Sequence, residues 1–221
     1  MKCYLIAGKK RSGKDYCTSI FKNIEPISHI SFAGELKEIA CRLLNLSLEE
    51  LDNLKNEKKS VKVNKKIFNS KLIEEAFNTN SKYNLNVSGE VIKREAITLK
   101  IPCITENDNY IFDVRVFLQY YASIWKDIFG ESIWADIASL KGNDYIIISD
   151  FRFPIEYEAI KKKYEVTTIK VIGKNQYDID EYDLHPSETA LNDFKFDYII
   201  NNTVYDDLSL LYQIKAILKG K

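Results

Sequence analysis

The sequence predicts an α/β fold in which helices cover both faces of a parallel sheet, and three observations carry that expectation. Five short apolar runs have the length and composition of buried strands: CYLIA (3–7), HISFA (29–33), YIIIS (145–149), TTIKVI (167–172) and DYIIN (197–201). Amphipathic helical patterns lie between and after them, and alternation of strand with helix favours parallel pairing. The first run also leads straight into GKKRSGKDY (8–16), a strand–loop–helix signature of the kind that cradles phosphate.

The first strand ends at Ala7, and Lys14 to Lys22 can start a helix. GELKEIACRLL sets Leu36, Ile39, Ala40 and Leu43 on one face, and DDLSLLYQIKAIL does the same with Leu208, Leu211, Ile214 and Leu218. Between the second and third runs lie more than a hundred residues with no comparable strand. Residues 47–82, rich in Lys, Asn and Glu, read as helices or mobile loops. Residues 84–112 have room for a small hairpin, and residues 113–140 read as two helices broken at Gly130. With no internal repeat or low-complexity linker, the expectation is one domain over 1–221 with a mostly helical insertion at about 47–140. The polar, acidic stretch KNQYDIDEYDLHPSE (174–188) marks a lid-like excursion at about 174–190.

Composition narrows the function classes. The chain has 221 residues, 45% hydrophobic and 29% charged, enough for a sizeable core. Lys+Arg and Asp+Glu are both 32, so the net charge is zero. That removes the long-range attraction of a protein that coats polymeric nucleic acid or an anionic membrane, while leaving room for a local basic pocket. Cys3, Cys17, Cys41 and Cys103 form no C-x-x-C pair, which argues against structural zinc and for a reducing, cytoplasmic setting. No apolar segment approaches the length of a signal peptide or membrane span.

The loop carries the sharpest chemistry. GKKRSGKD matches G-x-x-x-x-G-K-[ST] through Lys14 and then has Asp15 where a hydroxyl is usual. In such a loop the backbone N–H groups converge at a helix N-terminus, whose dipole favours phosphate. Gly8, Lys10, Arg11, Ser12, Gly13, Lys14, Asp15 and Tyr16 are therefore the candidate nucleotide-binding residues, with Lys14 bridging β- and γ-phosphates. A carboxylate beside a triphosphate is repelled unless Mg²⁺ or a cation lies between them. Asp15 is thus a candidate Mg²⁺ ligand, direct or through water, and the alternative is that it caps the helix.

SDFRFPIEYE (149–158) follows the third strand, at the sheet end where open α/β sheets bind ligands. Asp150 is a second candidate metal-site carboxylate, and Arg152 a candidate grip on phosphate oxygens. The alternative is a helix-start aspartate neutralised by an arginine. Pro154 suits a first helical turn, with Glu156 close by. In DVRVFLQYYASIWKDIFGESIWADIA (113–138), Arg115, Gln119 and Ser123 recur at i, i+4 and i+8 as one polar stripe, able to grip a phosphate and a base edge or simply to face water. Trp125 and Trp134 have the residue type of core side chains more often than of ligand platforms.

Taken together, GKKRSGKD, RVFLQ…W, SDFRFPIE and HPSE…DYIINN resemble the phage-type deoxynucleoside monophosphate kinases, whose phosphate loop also has Asp after the lysine. The animal-type phosphomevalonate kinases are similar at the same places, including a closing D-x-x-I-x-N stretch. The R-x-x-L-Q helix and the long insertion favour the first. The resemblance implies a P-loop NTPase fold with five parallel strands in the order 2-3-1-4-5, and transfer of the ATP γ-phosphate to a deoxynucleoside monophosphate. It implies that Lys14, Asp15, Asp150, Arg152 and Arg11 act in catalysis, with Mg²⁺ at Asp15 and Asp150. Arg115, Gln119, Trp134, Asp150, Arg152 and Glu156 would then line the acceptor site. The excursion at 174–188 has no arginine of the kind an adenylate-kinase lid carries, so Lys10 or Arg11 is expected to supply that charge. The implied partner is the monophosphate, without polymeric nucleic acid or membrane; monomer and homodimer both remain open, as does viral origin with a host-cytoplasmic location. The alternatives are a kinase for another small phosphorylated acceptor and a non-catalytic nucleotide-binding protein.

Overall fold

A computed structural model describes residues 1–97, 102–174, 189–204 and 206–220. The elements begin β1 (Lys2–Ala7), α1 (Lys14–Ile24), β2 (Ser28–Ile30), α2 (Phe32–Leu44), α3 (Leu48–Asn56), β3 (Ser60–Asn64), α4 (Lys65–Tyr83) and α5 (Gly89–Ile97). They continue with β4 (Ile104–Glu106), β5 (Asn109–Asp113), α6 (Val114–Phe129), α7 (Ile133–Lys141) and β6 (Tyr145–Ile148). The last are α8 (Pro154–Ile160), β7 (Glu165–Gly173), β8 (Tyr198–Asn202) and α9 (Asp207–Lys219). They fall into two compact units, Met1–Phe32 with Ala138–Lys221, and Ala33–Ile137.

All five apolar runs form strands, and together they make the sheet of the first unit. Its order is β2-β6-β1-β7-β8 with every neighbouring pair parallel. Counting only these strands, that is 2-3-1-4-5. The central position of β1 explains its composition, because both faces must be dry: Cys3 through Ala7 are all buried. Tyr4, Ile6, Ile147, Ile169, Val171 and Ile200 pack one face against Cys17 and Phe21 of α1 and Leu210, Ile214 and Ile217 of α9. Leu5, Ile146 and Ile148 alternate to the opposite face and are equally buried, so helices flank the sheet on both sides.

One strand is shorter than its apolar run. HISFA stays extended only through Ile30, and Phe32 already begins α2. The cause lies on the neighbouring strand end, where Asp150 Oδ1 accepts the Phe32 N–H at 2.9 Å and Oδ2 accepts the Ser31 hydroxyl at 2.7 Å. A carboxylate at the first free N–H of a helix favours that turn over another strand residue.

The second unit holds the antiparallel sheet β3-β5-β4 and helices α3 to α6. The hairpin expected within 84–112 is β4–β5, turning at Asn107–Asp108 with Asn107 left-handed at φ +50°. Strand β3 is absent from the sequence reading because SVKVN, although alternating, is short and set in a Lys- and Asn-rich stretch, with its two valines half-buried. Side-chain caps start α3 (Ser47, with Glu50 reciprocating), α4 (Asn64) and α6 (Asp113). Phe68, Phe112, Phe117, Tyr121 and Trp125 form a chain of ring contacts through the core. Helices α6 and α7 lie on either side of Gly130, where the break was expected. The excursion at 174–190 lies outside the described residues over 175–188, and with it the HPSE motif.

Candidate functional site

The loop between β1 and α1 alternates in hand. Arg11 has φ +63° and Gly13 φ +86°, while Lys10 and Ser12 keep negative φ. Alternation of left-handed with other residues is the backbone pattern from which anion-binding concavities are built. Ser12 N–H closes a turn onto Lys9 O at 3.1 Å, and Gly13 takes the N-cap position of α1. Lys14 opens the helix with its side chain only 17% exposed; Asp15 follows at 80% exposed, its carboxylate 4.0 Å from Lys14 Nζ. No side chain caps α1, so the capping alternative for Asp15 is set aside. Lys9, Lys10 and Arg11 are exposed. Tyr16 sends its hydroxyl to Asp207 at 2.9 Å, joining the first turns of α1 and α9. Beneath them burial pushes the Cys17 thiol up to about 11, which leaves it a packing group rather than a nucleophile.

Two supports of this loop escaped the sequence reading. Asn202, at the end of β8 and 3% exposed, donates from Nδ2 to the Ser12 carbonyl at 2.9 Å. Gly173, at the end of β7, lies so close that a Cβ there would stand 2.6 Å from Ser12 Cα. The D-x-x-I-x-N stretch thereby acquires a physical account. The Asp197 carboxylate accepts from the Thr168 N–H and hydroxyl, each at 2.8 Å, which pins β8 to β7. Ile200 is core, and Asn202 reaches across to the loop. Asn202→Ala leaves a carbonyl without its donor and is expected to cost about 1–3 kcal/mol. Thermal denaturation should read that as a loss of about 2–4 °C per kcal/mol for a chain of this size. An unchanged Tm would remove this bond from the loop's support.

The end of β6 supplies the second part of the site. Ser149 is buried and lies 2.8 Å from His29 Nε2, and burial holds the imidazole below its ordinary value. Asp150 brackets Ser31 and Phe32 as described. The Arg152 and Phe153 N–H groups both donate to Glu156 Oε2, at 2.8 and 3.0 Å. One oxygen of Glu156 thus closes the start of α8, where Pro154 takes the first helical position as expected.

A cleft at the C-terminal end of the sheet brings the two parts together. Gly8, Lys9 and Lys14 line it from the loop, Asp150, Phe151 and Arg152 from the end of β6, and Lys170 from β7. Four cationic side chains meet one carboxylate there, and both oxygens of that carboxylate already accept hydrogen bonds. The balance suits a multiply charged anion. Lys170 was not singled out from sequence, where TTIKVI reads only as a strand.

Arg115, Gln119 and Trp134 belong to the other unit. Arg115 and Gln119 are half-buried on α6, and Ser123 is exposed, returning its hydroxyl to Tyr120 O at 2.7 Å. Trp134 is 7% exposed and donates its indole N–H to Ala122 O at 3.3 Å, which makes it a core side chain of that unit. Among the described residues no three His, Cys, Asp or Glu side chains cluster as a metal site, and no helix is long and apolar enough to cross a membrane. No protein-family model and no curated protein sequence matches the chain.

Proposed function

We propose that this chain is a P-loop kinase that moves the γ-phosphate of ATP onto a deoxynucleoside monophosphate. The observation that carries the reading is the cation-rich cleft, in which Lys14 and the left-handed loop share walls with Asp150 and Arg152 on the adjacent strand end. Nucleotide binding alone would not call for the second set of charges. The acceptor is assigned from the combined motifs, in which the R-x-x-L-Q helix and the long insertion point to a deoxynucleotide. Four free thiols fit a reducing cytoplasm.

In this reading the backbone N–H groups of the loop and Lys14 hold the β- and γ-phosphates, and Arg152 holds the acceptor phosphate. An acceptor phosphate oxygen attacks the γ-phosphorus in line. The bond from that phosphorus to the β–γ bridging oxygen breaks, and ADP leaves as the diphosphate product forms. No side chain is a nucleophile; alignment and charge neutralisation supply the rate. Asp15 and Asp150 would hold Mg²⁺. The donor set fits, since Asp15 is an exposed hard-oxygen donor and each Asp150 oxygen, accepting one hydrogen bond, keeps a lone pair for the ion or a water on it. When bound, the ion neutralises charge on the β- and γ-oxygens.

Asp15→Asn keeps the shape and removes the negative charge. The Mg²⁺ concentration for half-maximal activity is expected to rise and kcat to fall, with folding unchanged. A Mg²⁺ titration that overlays the parent's would take Asp15 out of the metal site. The reading as a whole is tested by a coupled ADP-release assay across all deoxy- and ribonucleoside monophosphates and phosphomevalonate. Release should depend on a deoxynucleoside monophosphate. Dependence on phosphomevalonate would reassign the acceptor, and acceptor-independent release would overturn kinase function.

A further inference from the structure

We propose that Lys170 is a phosphate-binding residue for the nucleotide, supplying from the sheet itself a charge that a lid would otherwise supply. The inference rests on the kinase reading and adds to it a residue that none of the loop or strand-end motifs contains.

The placement of Lys170 is fixed by backbone. Strand β7 is paired on both sides, with Lys170 in register with Ala7 of β1 and Ile199 of β8. Its neighbours Ile169 and Val171 point into the core beneath α1, so Lys170 faces the other way, into the cleft beside Lys9, Lys14 and Arg152. A half-buried ammonium ordinarily finds a carboxylate, because an uncompensated charge away from water is costly. Among the described residues Lys170 has no such partner. Its Nζ instead stands 5.6 Å from the centroid of the Phe196 ring, which holds the stem over the cleft without neutralising it. The Asp150 carboxylate lines the same cleft, and its oxygens accept from Ser31 and Phe32 rather than from Lys170.

Lys170 shares the cleft with Lys9, Lys14 and Arg152, an arrangement that suits a polyanion. Lysine suits that task, being a mobile point charge with three donors that can follow a phosphate chain. Lys170 lies on the strand beside β1, at the level of the residue just before Gly8, so its reach is to the phosphate chain cradled by the loop. The excursion that follows, KNQYDIDEYDLHPSE, brings no arginine of its own.

The test is calorimetric titration of the full chain with inorganic tripolyphosphate and Mg²⁺, run on the parent, Lys170→Met and Lys170→Arg, with Tm measured without ligand. Lys170→Met keeps the apolar stem, so its ligand-free Tm should stay level or rise. Its affinity should fall roughly tenfold or more, as for loss of one charge-assisted hydrogen bond, and its binding should become less sensitive to salt. Lys170→Arg should restore most of the affinity. Parent-like binding by Lys170→Met would overturn the proposal and leave the kinase reading intact. So would a fall in Tm of both variants with equal loss of affinity, which would make Lys170 a support for Phe196. Failure of the parent to bind tripolyphosphate would overturn both.

Discussion

Lys14→Ala is expected to lower turnover roughly 10²- to 10³-fold, the scale for losing one preorganised group aimed at transition-state charge. The side chain opens α1 and is largely sheltered, with the exposed Asp15 4.0 Å away as its recorded ion contact. Folding therefore gains little from it. In a cleft that also holds Lys9, Arg152 and Lys170, removing one cation relieves repulsion, so Tm should be level or slightly higher. Steady-state kinetics with circular dichroism separate the two effects. A purified, folded variant with near-parent kcat would end the P-loop kinase reading, because that reading makes Lys14 the loop's own charge on the group in flight.

Gly13→Ala is the second large effect, and here stability and binding fall together. The backbone at φ +86° carries a left-handed penalty for any residue with a Cβ. The new Cβ would also run into Asn202 Nδ2, which is buried and holds the Ser12 carbonyl. Strain of about 1–2 kcal/mol for the left-handed residue adds to about 1–3 kcal/mol if the Asn202 bond breaks. The loop must move to accommodate it, so ATP binding should weaken with the fall in Tm. A second substitution identifies the cause. Asn202→Ala clears the space, so its cost on the Gly13→Ala background should be well below its cost on the parent, a non-additivity of the kind that contacting sites show. Additive costs would mean that the clash is not what Gly13 avoids.

The parts of the fold and site that were legible in sequence are those where local pattern and tertiary need coincide. CYLIA and YIII are apolar throughout because they run through the sheet interior, and GKKRSGKD sits on one turn of chain where spacing alone conveys geometry. What remained hidden depends on neighbours far along the chain. Asn202 meets Ser12 across 190 residues, Asp150 ends β2 from another strand, and Lys170 becomes conspicuous only when β7 is seen beside β1. For Glu156 the family resemblance implied a place in the acceptor site, and the structure adds a local role, one of its oxygens accepting from the Arg152 and Phe153 N–H groups at the start of α8.

The central claim, phosphoryl transfer from ATP to a monophosphate, is tested most directly by following the atom that moves. The full chain is incubated with Mg²⁺, ATP labelled in its γ-phosphate and each deoxynucleoside monophosphate, and the products are separated. The account predicts label in the β-phosphate of the deoxynucleoside diphosphate, with unlabelled ADP formed in equal amount and little free phosphate. Label recovered only as inorganic phosphate, or left on ATP with every acceptor, would contradict it.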